Sequence, residues 1–160
     1  MLEVQRLRAC EGNRLRKLRL DSLRDAPRAF SGTYEEAAAR SVEQWCAQIE
    51  MLPTFVAVSN HSDVGLVRAA PLEDNPRVAF LLSMWVAPEF RGEGAGEALI
   101  NALVDWGRAA GIVRLILDVG ESNEPALALY ARMGFRKTGE TFILDHLGEQ
   151  ISELRMARDL

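Results

Sequence analysis

The stretch VAFLLSMWVAPEFRGEGAGEALINALVDWGRAA, from Val78 to Ala110, narrows the possible folds of this chain more than any other. Its opening run, Val78 to Val86, is apolar and β-favouring, which reads as a buried strand. Pro88 follows, and Arg91 to Gly96 spells RGEGAG. From there Ala95, Ala98, Leu99, Ala102, Leu103, Trp106 and Ala110 recur at helical spacing, while Glu97, Asn101, Asp105 and Arg108 take the other face. Strand, glycine-rich turn and amphipathic helix are expected in that order. The first N–H groups of such a helix lack intrahelical partners, and glycines let a ligand approach them with no side chain in the way. The turn therefore suits an anion, most often a phosphate.

Gly111 closes this helix where a left-handed cap is favoured, and Val113 to Val119 is apolar enough for a strand covered on both faces. The pair of strands and their helix make a parallel βαβ unit. Asn123 is placed to cap a further helix with Glu124 and Pro125 in its first turn, ending at Gly134. Phe135 to Thr138 and Glu153 to Arg158 read as final strands joined by a connection from Gly139 to Ser152. Upstream, Val4 to Ala9 reads as a strand and Glu11 to Arg24 as a helix broken by Pro27. Thr33 and Glu36 have capping-box spacing at the head of a helix from Tyr34 to Glu50. Phe55 to Val58 and Val64 to Ala69 form a hairpin about a turn at Asn60 to Asp63, and Pro71 to Pro76 is a loop.

The 160 residues suit one domain, residues 1–160, that needs no covalent staples. No apolar run approaches the ~20 residues of a membrane helix, and the N-terminus has no apolar core with a cleavage site, so a cytoplasmic protein without membrane partners is expected. Cys10 and Cys46 show no metal-binding spacing and read as small buried hydrophobes; no metal is expected. Net charge is −4, but the first 28 residues carry eight basic and four acidic side chains, leaving −8 for the remainder. A helix with charges on its solvated side accounts for that bias, and nucleic acid is not an expected partner.

RGEGAG admits several owners. It lacks the lysine and hydroxyl of a P-loop. In a dinucleotide fingerprint Gly92 and Gly94 fit, but the third position is Glu97. Asp118, near the end of the next strand, stands where a ribose-binding acid would, which leaves a nicotinamide-dependent oxidoreductase as an alternative. A second stretch, NEPALALYARMGF from Asn123 to Phe135, adds two polar residues seven apart, Asn123 and Tyr130, on nearly one helical face with Ala126 between them.

Together the two stretches resemble the GNAT superfamily of acetyl-CoA-dependent N-acetyltransferases. The resemblance runs through Ser83–Pro88, R-x-x-G-x-G at Arg91, Gly94 and Gly96, and the strand of Leu115, Leu117 and Val119. It ends with N-x-x-A-x-x-L-Y-x-x-x-G-F at Asn123, Ala126, Leu129, Tyr130, Gly134 and Phe135. About a third of the chain carries these motifs. The fold they imply is α/β of mixed α+β character, a single domain whose mostly antiparallel sheet contains one splayed parallel pair flanked by helices.

The resemblance also implies a site. Arg91, Gly92, Glu93, Gly94, Ala95, Gly96 and Glu97 would hold the pyrophosphate of coenzyme A. Backbone at Met84, Trp85 and Val86 would bond the pantetheine arm and polarise the thioester carbonyl. Asn123 would contact the arm from the other side, and Tyr130 would bind the cofactor and serve the departing thiolate as the catalytic acid. Phe30, Tyr34, Ser83 and Trp85, with a loop from Thr141 to Ile151, would frame a small amine acceptor, and acids nearby would favour a cationic one. No base stands out; His146, Asp145, Glu35 and Glu36 are candidates by position only. Dimers are frequent in the superfamily, so a homodimer is possible on this reading. A non-catalytic acetyl-CoA sensor on the same fold is the main alternative.

Overall fold

The computed structural model describes all 160 residues. Strand β1 (Leu2–Arg6) leads through a short 3-10 turn into helix α1 (Gly12–Asp25), followed by α2 (Tyr34–Ala38) and α3 (Val42–Met51). Strands β2 (Thr54–Ser59), β3 (Ser62–Pro71) and β4 (Val78–Val86) come next, then α4 (Ala95–Ala109), β5 (Arg114–Gly120) and α5 (Glu124–Arg132). The chain ends in β6 (Arg136–His146) and β7 (Glu149–Asp159). One seven-stranded sheet runs β1-β2-β3-β4-β5-β7-β6, and β4–β5 is its parallel pair. No helix is long and apolar enough to cross a membrane.

Two hydrophobic clusters, one on each sheet face, hold the layers together. Strand β2 sends Phe55 and Ala57 to one and Val56 and Val58 to the other, the period-two alternation of a strand covered on both sides. The larger cluster packs α4 through Leu99, Ile100, Leu103 and Val104 and α5 through Tyr130. The smaller packs α1 and α3 through Leu15, Leu18, Leu23, Trp45 and Ile49. Each fully buried leucine of this kind contributes roughly 1.5–3 kcal/mol of transfer free energy.

Several elements differ from the sequence reading. The expected helix from Tyr34 to Glu50 is two helices, because Ser41 Oγ accepts from the Gln44 N–H at 3.2 Å while Gln44 Oε1 accepts from the Ser41 N–H at 2.8 Å. That capping box restarts the helix after a break at Ala39 and Arg40. At the earlier start, Thr33 Oγ1 accepts from the Glu36 N–H. The buried face of α4 is turned toward Ile100, Val104 and Gly107, and Ala110 is exposed. The larger side chains remove more apolar area from water than alanines do, and Gly107 admits Leu160 where a Cβ would lie 2.9 Å from its Cδ1.

The connection expected from Gly139 to Ser152 is instead a long β-hairpin. Leu147 and Gly148, at φ of 52° and 76°, form its two-residue turn. Most of β6 is exposed at the sheet edge, so its polar composition resembled a loop. Cys10 is exposed and Cys46 half-buried, neither being a core residue, since Cys10 lies in the 3-10 turn before α1.

Candidate active site

A bulge opens the site. Between the Leu66↔Trp85 and Arg68↔Leu82 pairs, β3 spends one residue and β4 spends two, Ser83 and Met84. Ser83 absorbs the extra residue at φ 57°, a left-handed conformation that a non-glycine residue holds only when its surroundings fix it. Those surroundings include the Arg68 guanidinium, whose Nε and Nη2 donate to Ser83 Oγ at 3.1 and 3.0 Å while Nη1 donates to Gln48 Oε1 at 2.9 Å. Bulges bend strands, and β4 and β5 pair only from Val78↔Arg114 to Phe80↔Ile116 before separating. The gap widens into a cavity of about 1160 Å³ whose lining includes Leu81 and Met84 of β4, Leu117 and Val119 of β5, and Ala126 and Tyr130 of α5.

At the end of β4 the glycine turn takes the shape its sequence implies. Gly92 and Gly94 sit at φ 81° and 90°, and a Cβ on either would meet nothing within 4 Å. The first intrahelical bond of α4 is Ala98 N–H to the Gly94 carbonyl at 3.0 Å, so the Ala95 and Gly96 N–H groups precede the helical ladder. Gly96 has a packing role, since a Cβ there would lie 3.0 Å from Leu129 of α5 and 3.3 Å from the Met84 side chain. Glu97 pairs with Arg132 at 2.9 Å, tying α4 to α5; that bond chiefly holds the Glu97 carboxylate below its usual range.

Arg91 is committed rather than free. Its Nε donates to the Val86 carbonyl at 2.9 Å, and its Nη2 meets Asp25 Oδ2 at 2.6 Å. Asp25 also accepts from Trp85 Nε1 at 2.9 Å. One carboxylate thus fixes the end of α1, an indole of β4 and the entrance to the glycine turn. The Trp85 N–H first, and Arg91 after it, keep Asp25 below the ordinary carboxylate pKa.

Asn123 caps α5, its Oδ1 accepting from the Ala126 N–H at 3.3 Å, and it also lines the cavity. Tyr130 lies along the same side, only 7% exposed, its ring edge-on to Phe135 with centroids 5.8 Å apart. Burial raises its phenol pKa, so the hydroxyl keeps its proton well above neutral pH.

The residues expected around an acceptor separate into two groups. Phe30 and Ser83 line the cavity, and so does Met84, expected beside the pantetheine arm. Tyr34 does not: its hydroxyl accepts from Arg24 Nη2 at 2.8 Å on the outer side of α1. Trp85 and Val86 are also absent from the lining: the Trp85 indole packs into the smaller cluster beside α1, and Val86, on the opposite face of the strand, packs against the larger one. His146, Asp145, Glu35 and Glu36 lie outside it too; His146 Nε2 bonds the Pro27 carbonyl at 2.9 Å, which fastens the β6–β7 hairpin to the chain after α1.

The carboxylates that do face the cavity are Asp118, Glu121, Glu149 and Glu153. Asp118 is held by Arg155 at 2.8 Å, so it is not available for a ribose, and Glu149 by Arg28 at 2.9 Å. Glu153 has no ion-pair partner, and burial followed by the nearby Asp118 raises its pKa. Arg19, Arg68, Asp25 and Glu153 were not singled out by motif. For Arg19 a signal existed: it stands four residues after Leu15 and beside Leu18, on the stripe that α1 buries.

The same architecture recurs in known proteins. The model of the acetyltransferase (GNAT) family matches residues 19–135. Human N-acetyltransferase 8 is 36% identical over 91 residues, 55% of this chain and 40% of that protein. N-acetyltransferase 8F1 of Rattus norvegicus is 33% identical over 92 residues, 56% of this chain and 42% of that protein. The chain therefore matches about two fifths of the length of these curated relatives. Among solved structures, the GNAT-family acetyltransferase from Streptococcus pneumoniae superposes with a TM-score of 0.82 at 18% identity, covering 100% of this chain and 99% of that one. The putative acetyltransferase yncA from Salmonella typhimurium, solved with its cofactor acetyl-CoA, gives 0.82 at 15% identity over 100% and 94% of the two chains. A single parallel pair in a mostly antiparallel sheet also removes the doubly wound dinucleotide fold. By the extent of the family match and the fold that carries it, this chain belongs to the GNAT acetyltransferase family.

Proposed function

We propose that the chain is an N-acetyltransferase that moves an acetyl group from acetyl-CoA to a small primary amine by direct attack, with both substrates bound together. The observation that carries this reading is the cavity between the splayed β4 and β5, which joins a bulged strand edge to Asn123 and a buried tyrosine. The fit to the coenzyme is physical. A cradle at Gly92 and Gly94 is open where a Cβ would sit, and it opens the N-terminus of a helix, a position that favours phosphate. The Gly92 to Glu97 backbone would hold the pyrophosphate, with Arg91 shaping the turn through Val86 and Asp25 rather than by bare charge. The β4 edge from Met84 to Val86 and the Asn123 side of α5 would flank the pantetheine arm.

The thioester supplies an activated acyl carbon. The amine nitrogen forms the new C–N bond as the C–S bond breaks; nitrogen gives up a proton and the sulfur gains one. Backbone N–H near Met84 would stabilise charge on the carbonyl oxygen. Tyr130, protonated and buried, would donate to the sulfur. Glu153 would take the proton from the amine, directly or through water, because it is the half-buried one of the two cavity carboxylates without an ion-pair partner, the exposed Glu121 being the other, and burial raises its pKa, which makes it a stronger base than an ordinary carboxylate.

Calorimetry with acetyl-CoA and with NAD(P)H, followed by a broad amine panel with thiol-release detection, tests the reading. Tight acetyl-CoA binding with amine-dependent thiol release is expected. Binding without turnover of any amine would favour the sensor, and stabilisation by the nicotinamide alone would overturn both.

A further inference from the structure

The acceptor end of the cavity holds two cations with no anion. Arg19 of α1 is only 6% exposed, and its Nε and Nη1 are fully buried without a hydrogen-bond partner. Its guanidinium lies over the Phe30 ring, 5.4 Å from the centroid, and faces the cavity. Arg68, 8% exposed, lines the same end and spends its donors on neutral groups, Ser83 Oγ and Gln48 Oε1. None of the ion pairs in the molecule includes Arg19, Arg68 or the neighbouring Arg40.

This arrangement is costly. An arginine buried without a partner leaves strong donors unsatisfied and a charge desolvated. Burial lowers Arg19 to about 10 and Arg68 to about 9, with repulsion among the three arginines adding to the effect, yet both stay cationic at neutral pH. A planar guanidinium fork matches a carboxylate in shape and charge. The other charges of the cavity sharpen the match: Asp118 and Glu149 are neutralised by Arg155 and Arg28, which leaves the half-buried Glu153 and the exposed Glu121 as its unpaired acids. One part of the lining is left with unneutralised positive charge and another with the carboxylates of Glu121 and Glu153.

We infer that the acceptor is an amino acid or a close derivative, its carboxylate held by Arg19 and Arg68 and its amine presented toward Glu153 and the β4 bulge. This inference rests on the acetyltransferase reading and names its substrate class. It narrows the expectation of a small amine favoured by nearby acids, since two of those acids already have arginine partners. Because Arg68 bonds Ser83, one residue before Met84, the carboxylate site lies beside the strand edge that would flank the thioester. A short spacing between carboxylate and amine follows.

The test uses the full chain at saturating acetyl-CoA and a panel of amino acids, each paired with its amide and with the amine lacking the carboxyl group. Thiol release gives kcat/KM, and calorimetry on protein saturated with free coenzyme A gives acceptor affinity where turnover is slow. The expected result is a preference of at least about tenfold for the carboxylate over its amide, as for a charged partner filling unsatisfied donors. Arg19→Gln should bring that ratio to about 1, chiefly through KM, with acetyl-CoA affinity unchanged. Arg19→Met should do the same while raising Tm, which separates a binding role from a structural one, since a structural arginine lost from the core would lower Tm. Amides equal to or better than acids in both measurements, or a ratio that survives in either Arg19 variant, would overturn the inference. Acetyl-CoA affinity is measured independently, so loss of that binding would strike the acetyltransferase reading instead.

Discussion

On one side of the cavity the working groups come from an unbroken run of chain, Val78 to Tyr130, and much of what they offer is backbone: the N–H groups ahead of the α4 ladder, the strand edge left open by a bulge, two glycines at positive φ. On the other side they come from α1, β3 and the β6–β7 hairpin, and what they offer is side-chain charge. A site made of backbone is insensitive to most substitutions and sensitive to any that change φ. A site made of charge tolerates substitution structurally, but every change alters what it selects. The two sides should therefore fail differently.

The largest effect belongs to the one side chain on the backbone-built side with a chemical task. Tyr130→Phe removes the hydroxyl and preserves the ring packing on Phe135, so kcat should fall by roughly 10- to 10³-fold with acetyl-CoA affinity nearly constant. The wild-type phenol, raised by burial, should contribute no alkaline limb near neutrality. Rapid-quench turnover with chemistry rate-limiting checks this; an unchanged rate would take Tyr130 out of the mechanism.

Gly94→Val probes the backbone directly. Open space surrounds the missing Cβ, so the cost is conformational: a β-branched residue at φ 90° is strained by at least about 1–2 kcal/mol, or roughly 2–8 °C of Tm. Acetyl-CoA affinity should drop by at least about tenfold, since the side chain would fill the phosphate approach or the turn would change shape to relieve strain. Calorimetry that finds equal affinity would move the phosphate site elsewhere.

These two sides were not equally readable from sequence. The strand, glycine turn and helix are consecutive, and so is Asn123 through Phe135; the positive φ at Gly111 followed from its place at a helix end. The charged side could not be read that way. Arg19 and Arg68 are separated by 49 residues, and only the β3–β4 bulge and the packing of α1 on the sheet bring them to one cavity. Ser83 could be chosen as a strand residue, but nothing local announces that it would sit at φ 57° beneath a guanidinium. The β6–β7 hairpin escaped for a different reason: an edge strand projecting past the core buries little, so its composition carries no alternation to detect.

Glu153→Gln is the corresponding test on the charged side. With the carboxylate raised by burial and by Asp118, the wild-type acidic limb of kcat/KM should sit above the ordinary carboxylate range. The substitution should flatten that limb and lower kcat/KM by roughly 10- to 10²-fold, an effect of general-base size. A limb unchanged in the variant would assign the base to water or to another group.

The smallest effect is expected where the two sides are joined. Asp25, at the end of α1, accepts from Trp85 of β4 at 2.9 Å and from Arg91 of the glycine turn at 2.6 Å. Its folded pKa is depressed, so its stabilising contribution is full above the unfolded value of about 3.9 and disappears as pH falls through the folded one. Asp25→Asn keeps an acceptor for the indole and removes the charge facing Arg91. Because the Arg91 side chain is 52% exposed, solvent screens the pair, and the loss at neutral pH should be about 0.5–1 kcal/mol. Denaturant titrations of both proteins from neutral pH down to about pH 2 should show the difference shrink as Asp25 takes up its proton, and added salt should shrink it at neutral pH. A difference that persists undiminished in acid would mean that Asp25 joins the two sides through hydrogen-bond geometry, with its charge contributing nothing.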